Sequence, residues 1–319
     1  MLIREKANKL RRVNRHRFAV ITAVLTVLAL VIGNLVVATG SGDACGTDWP
    51  TCKGSLLPDF LDYKQVIEYS HRLFTGSLGF VILINAVLAW KRKYTGETSI
   101  GVLALLTMAL LLTQSMVGAF NVILGTPPGF TTLDVVVSMF LLTSTVFLAV
   151  ALQRVEVKSH EGRKINHSYK KLFSPALWVF IIYFLEVTVG AFLKHSGASK
   201  IVNNMVTDDL LISSNLLSKV IYNIHGISNT LIVIGALYLL FMSIRKSVLV
   251  PASAMFFLLI VVNGVTGFIT QLSSLNQVAS SIHMIVVVIT VFQGAYLVSK
   301  AYFGPCFFTW TVKGEEDVS

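Results

Sequence analysis

Long apolar runs separated by short polar stretches dominate the chain. Eight of them, at about 18–39, 70–90, 99–122, 131–152, 172–193, 221–243, 249–271 and 280–301, have the roughly 20-residue length that carries a helix across a bilayer. The pattern predicts an all-α integral membrane protein with eight transmembrane helices. From the first run to the second, the stretch Thr39–Phe74 carries two cysteines seven apart and re-enters the apolar phase through Glu68-Tyr69-Ser70-His71-Arg72. A histidine at the head of a membrane helix, three residues after a carboxylate, is costly unless it has a partner.

The polar positions inside the runs repeat. The third run reads Gln114-Ser-Met-Val-Gly118-Ala-Phe120 and the fifth Glu186-Val-Thr-Val-Gly190-Ala-Phe192. The seventh offers Asn263-Gly-Val-Thr-Gly267, and the first Asn34-Leu-Val-Val-Ala38. Each places a polar residue one turn before a small one, as expected where helix backbones approach closely around a protein-lined interior. The exits Thr39-Gly40-Ser41-Gly42 and Lys194-His195-Ser196-Gly197 also match. Residues 18–153 and 172–301 therefore read as two pseudo-symmetric four-helix bundles in parallel orientation. The basic stretch 154–171 links them, and 1–17 and 302–319 are tails. In this alignment His71 falls on His225. The 16-residue step from Gly267 to His283 leads, from Gly118, to Asp134. All four residues are expected in first turns, at one depth.

Composition supports the bilayer and then orients the chain. Hydrophobic residues make up 54% against 13% charged, with a mean hydropathy of +0.73. The net charge of +10 would suit nucleic acid, but 20 of the 26 Lys and Arg fall on one side if the N-terminus is cytoplasmic. The positive-inside rule accounts for that asymmetry and places both termini in the cytoplasm of a bacterial-type inner membrane. The segment before residue 18 contains Glu5 and runs straight into a full span, so it reads as a cytoplasmic flank rather than a transit peptide. Cys45 and Cys52 fall on the outer side, where disulfides persist; Cys306 falls inside, where it stays reduced. A Cys45–Cys52 bond would staple the loop or, if exposed, exchange electrons with a thiol partner.

Two histidines at repeat-related positions of spans 6 and 8 are the geometry for holding a haem iron between imidazoles. Zinc is disfavoured, because no further Cys, Asp or Glu of the second half lies near enough to complete a tetrahedral set. Quinone binding is the competing use of His, Asn and Glu near an interface.

Taken together, several motifs resemble haem A synthase of the CtaA type. They are the Thr-Gly-Ser-Gly exit, the Cys-x6-Cys loop ending Trp-Pro-x-Cys, the Glu-x-x-His-Arg entry, and the histidines of spans 6 and 8. The resemblance implies an oxidoreductase that converts the C8 methyl of haem O to the formyl of haem A for terminal oxidases. It implies a haem b cofactor on His225 and His283, and a substrate haem in the first bundle at Glu68, His71, Arg72 and Asp134, beside Cys45 and Cys52. Glu68 would accept a proton or stabilise a cation at the reacting carbon, or else act as a helix-start cap; Arg72 would bind a propionate or sit among headgroups. Departures are also plain. Asp134 stands where the family's second N-terminal histidine is expected, Glu186 stands where an amide is usual, and the second outer loop has no cysteines. An aspartate is a weak oxygen ligand, or a hydrogen-bond partner for iron-bound water. The partners implied are haem O, a protohaem farnesyltransferase that makes it, membrane lipid, a thiol–disulfide or quinone redox partner, and a second copy of the chain in a homo-oligomer; nucleic acid is not among them. The alternatives are a diverged haem-binding paralogue and a cytochrome-b-like quinol or electron-transfer protein.

Overall fold

A computed structural model describes residues 2–49, 51–91, 98–125, 129–158, 167–205 and 211–304. Eight long helices account for most of them: α1 (Leu2–Ala38), α2 (Tyr63–Trp90), α3 (Thr98–Ile123), α4 (Phe130–Lys158), α5 (His167–His195), α7 (Asn215–Lys246), α8 (Val250–Leu272) and α9 (Gln277–Phe303). A short α6 (Ala198–Val202) sits between α5 and α7. Each long helix carries a window apolar enough to cross a membrane, and no β-strand is formed among the described residues beyond one isolated bridge, Cys52 to Ser55. Large apolar side chains such as Phe80, Leu105, Ile227 and Phe268 point outward. In water such a surface would drive association; in a bilayer it faces lipid.

The long helices match the apolar runs closely except at two starts. The apolar phase begins near 70 and 221, yet α2 starts at Tyr63 and α7 at Asn215. Side-chain caps explain the difference. The Asp62 carboxylate accepts from the backbone N–H groups of Lys64 and Gln65, and Ser214 Oγ accepts from that of Leu217, so polar first turns are held helical. The Gln65 side chain, with the same two N–H groups, holds the half-buried Asp62 carboxyl below the usual carboxylate range. His71 and His225 consequently lie in later turns of their helices, not in first turns as the sequence suggested.

Contacts between the helices close two rings. α1 and α3 each pack against both α2 and α4, while α5 and α8 each pack against both α7 and α9. α2 thus lies diagonal to α4, and α7 to α9. The rings meet through α4 against α9, flanked by α1 on α9 and α4 on α5. α4 is the most enclosed span, with 72% of its apolar window buried. Its Ser138, Ser144 and Thr145 hydroxyls are satisfied by carbonyls three residues back, so they enter the seam without an unpaired donor. On α9, Gly294 lets the α5 ring Phe180 approach so closely that an added Cβ would sit 2.5 Å from Phe180 Cδ2. At the end of the seam where α4 and α9 terminate, Lys300 Nζ donates to Gln153 Oε1 at 2.8 Å.

Candidate functional site

The ring interiors are organised by one spacing, found in all four of α1, α3, α5 and α8. Gly33, Gly118, Gly190 and Gly267 each lie seven residues before a left-handed residue at the helix exit: Gly40 (φ +60°), Gly125 (φ +64°), Gly197 (φ +80°) and Ser274 (φ 53°). Left-handed backbone ends a helix, and glycine adopts it without strain. With the helix ends at Ala38, Ile123, His195 and Leu272, five residues on, each glycine sits about 7.5 Å inside its helix end at 1.5 Å per residue. The four therefore lie in one layer relative to their termini.

Three of these glycines back an imidazole. A Cβ added to Gly33 would meet His71 Nε2 at 3.1 Å, one on Gly190 would meet His225 Cε1 at 2.7 Å, and one on Gly267 would meet His283 Cε1 at 3.1 Å. At Gly190 only a bare backbone admits the ring where it lies, while at Gly33 and Gly267 an added methyl would press the ring back by a few tenths of an ångström. Gly118 differs: no atom lies within 4 Å of its Cβ position. In α1 the register expected from Asn34 and Ala38 is corrected, because the residue against His71 is Gly33. Asn34 turns instead to the seam, where its Nδ2 donates to the Ser281 carbonyl of α9 at 3.2 Å. The exits align through Gly40 and Gly197, not through Gly42.

In the second ring, His225 on α7 and His283 on α9 come from diagonal helices. The Thr266 hydroxyl donates to the Asn263 carbonyl at 3.0 Å and lies 3.1 Å from His283 Nδ1, which fits an Nδ1–H donor and leaves Nε2 with the lone pair. His225 Nδ1 lies 2.7 Å from Glu186 Oε1 of α5. Neither atom makes an aligned hydrogen bond, so this is a close charge contact between orphaned polar atoms. Asn263 Nδ2 donates to the buried Tyr183 hydroxyl at 2.9 Å. Two partly buried imidazoles, backed by glycine and each with Nδ1 directed at a partner, suit an axial pair on a porphyrin iron. Among the described residues no three His, Cys, Asp or Glu side chains converge on a metal-ion cage.

The first ring is built differently. His71 holds its α2 position, but the α4 counterpart is Asp134, whose Oδ1 accepts from Gln114 Nε2 at 2.7 Å. The Gln114 oxygen has no hydrogen-bond partner. Glu68 is 3% exposed, and both its oxygens are engaged: Oε2 accepts from the Cys45 N–H at 2.7 Å and Oε1 pairs with Arg72 at 2.5 Å. Arg72 also donates to the carbonyls of Gly46 (2.9 Å), Asp48 (2.6 Å) and Thr51 (3.4 Å), leaving Nε without a partner. The pair thus clasps the loop 39–62 onto α2. Glu68 is no helix-start cap, since Asp62 fills that place.

The Cys45–Cys52 disulfide is formed, with Cα atoms 4.4 Å apart. Its cysteines are 0% and 1% exposed and pack against Gln65, so a thiol partner would reach them only if the loop opened. The corresponding loop of the second ring is tied without sulfur: Gln271 Nε2 donates to Asn203 Oδ1 at 2.9 Å, and Asn203 Nδ2 returns to Gln271 Oε1 at 3.4 Å. Cys306 lies outside the described residues. His195, which belongs to neither ring's ligand set, has Nδ1 3.3 Å from the Thr132 hydroxyl at the seam.

Comparison with known proteins follows the same lines. Haem A synthases from Bacillus cereus strain 03BB102 and Bacillus anthracis strain CDC 684 are each 34% identical to the chain over 182 residues. One from Bacillus cereus strain AH187 is 33% identical over the same length. The chain spans 57% of the length of each of these relatives, and the alignment covers 57% of the chain itself. The sequence profile of the cytochrome oxidase assembly proteins matches residues 59–293. With about three quarters of its residues inside that match, the chain belongs to the COX15-CtaA family.

Proposed function

We propose that the chain is a haem A synthase, an oxidoreductase that converts the C8 methyl of haem O to the formyl of haem A. The observation that carries this reading is the glycine-backed imidazole, set three times in the same register around two ring interiors. The second ring is the cofactor half, with His225 and His283 as the ligands of haem b. When bound there, haem b supplies one-electron transfer within the protein. Gly190 and Gly267 clear room for the imidazoles, and Thr266 orients His283 through Nδ1.

The first ring is the substrate half. His71 is the ligand offered to the iron of haem O, and Asp134 faces it from the diagonal helix. Gln114 holds Asp134 Oδ1 and leaves Oδ2 for the iron or for a water on it. Asp134 therefore makes this a more open site than a bis-histidine one. With both oxygens engaged, Glu68 is a poor proton acceptor, and its role is that of a fixed negative charge near His71 that also secures Arg72 and the loop. Arg72 closes the loop over the site, and the buried Cys45–Cys52 bond is its staple. The loop ends of the rings face the outer side of a bacterial cytoplasmic membrane, with both termini in the cytoplasm.

Co-expression with a protohaem farnesyltransferase, in a host that makes no haem A of its own, tests the proposal. Extracted haems separated by chromatography and identified by mass should include haem A with the wild-type chain, and haem O without haem A with His71→Ala. Accumulation of haem O with no haem A, in membranes holding fully haem-loaded wild-type protein, would refute it.

A further inference from the structure

Glu186 is a buried acid, 5% exposed, and the reaction proposed above makes no use of it. It belongs to a clamp built by two helices. α5 supplies Glu186 and, one turn later, Gly190; α7 supplies His225 and, three residues on, Ser228. The Ser228 hydroxyl lies between Glu186 Oε2 and the Ile224 carbonyl, 2.5 Å from the latter. One carboxylate oxygen is thus held by α7, which turns the other, Oε1, to within 2.7 Å of His225 Nδ1. The Cε1 edge of the same imidazole rests on Gly190. With Nδ1 on Glu186 and Cε1 on the α5 backbone, Nε2 is the nitrogen left to bind a metal. The opposite histidine is partnered by Thr266, a neutral hydroxyl.

We propose that Glu186 is the positioning residue of His225. Its Oε1, 2.7 Å from Nδ1, sets the carboxylate charge on that side of the ring, leaves Nε2 for the iron, and would give this imidazole a stronger donor character than a neutral partner gives. Because carboxylate charge transferred onto an axial imidazole stabilises ferric over ferrous iron, the second-ring haem is biased toward its oxidised state. The low dielectric of a membrane interior strengthens that bias. The two axial ligands are thus unequal, one backed by a charge and one by a dipole. The inference rests on the reading that His225 and His283 hold haem b.

The test is a redox titration of the purified, haem-loaded protein, with haem content measured in parallel. Glu186→Gln keeps the shape and an acceptor oxygen but removes the charge. It should retain low-spin haem and shift the ferric/ferrous equilibrium at least tenfold toward ferrous, about 59 mV for one electron. Ser228→Ala leaves both partners in place but frees the carboxylate, and should shift it the same way by a smaller factor. If Glu186→Gln binds no haem, the Ser228→Ala titration decides. A haem-loaded Glu186→Gln protein with an unchanged equilibrium overturns the inference, as does an unchanged Ser228→Ala protein where Glu186→Gln is empty. His225→Ala separates the two levels: if its low-spin haem persists, the underlying assignment of the second ring has failed, whatever Glu186 does.

Discussion

Gly190→Ala is the sharpest probe of how the second ring holds its ligand. The new Cβ would sit 2.7 Å from His225 Cε1, and ordinary contact begins near 3.4 Å, so the ring must retreat by about 0.7 Å. Metal–ligand distances tolerate only about 0.2 Å. The same retreat takes Nδ1 out of register with Glu186. The fold itself should survive. Alanine gains about 0.5–1 kcal/mol over glycine inside a helix, and an off-rotamer histidine costs about 0.5–1.5 kcal/mol. These nearly cancel. Thermal unfolding of the metal-free protein in detergent should therefore change little, while haem affinity of the second ring drops at least tenfold. Gly118→Ala supplies the control, since nothing lies within 4 Å of its added methyl; it should leave both properties intact or raise stability slightly. Spectrophotometric haem titration beside thermal melts reads both quantities. Equal haem affinity in the two variants would refute the argument that bare backbone is what seats the imidazole.

Substitutions at three further positions separate roles that the first ring and its loop combine. Glu68→Ala removes the charge paired with Arg72 and the acceptor of the Cys45 N–H and should lower the melting temperature, whereas Glu68→Gln keeps one acceptor oxygen, turns an NH2 toward the other donor, and should lose less; a Glu68→Gln protein that is stable yet makes no haem A would assign the charge to the reaction. Asp134→His should convert haem bound in the first ring from high spin to low spin by electron paramagnetic resonance, with the second-ring signal unchanged. Asp62 has a depressed folded-state pKa, so its contribution to stability is present above about pH 4 and is lost as pH falls through the folded value. Melting curves of wild type and Asp62→Asn should accordingly differ at pH 7 and converge in acid.

The spans were legible because apolar length alone decides what crosses a bilayer, and no packing detail alters that. The starts of α2 and α7 were not, because Tyr63–Tyr69 and Asn215–Val220 look like loop until Asp62 and Ser214 are seen to cap them. The histidines of spans 6 and 8 stood out by type and position. Their seating did not: in α1 the Asn34–Ala38 spacing imitates the repeat, while the residue that meets His71 is Gly33. The seven-residue interval to a left-handed exit could have revealed it, since Gly33–Gly40, Gly118–Gly125 and Gly190–Gly197 are all visible as glycine pairs. Glu68 and Ser228 show the limit. Their partners lie 23 and 42 residues away along the chain and become neighbours only when loop and helices pack.

The glycine-to-histidine pairing also defines the unit of the fold. Gly33, Gly190 and Gly267 each meet the histidine of the next long helix, and Gly118 holds the same place before Asp134, so the smallest recurring piece is a hairpin. Within a hairpin the glycine and the residue it precedes are 38, 16, 35 and 16 residues apart, so connections of very different length serve one register of paired helices. A lone hairpin encloses nothing; each ring interior needs two of them side by side, and the four hairpins make two such interiors.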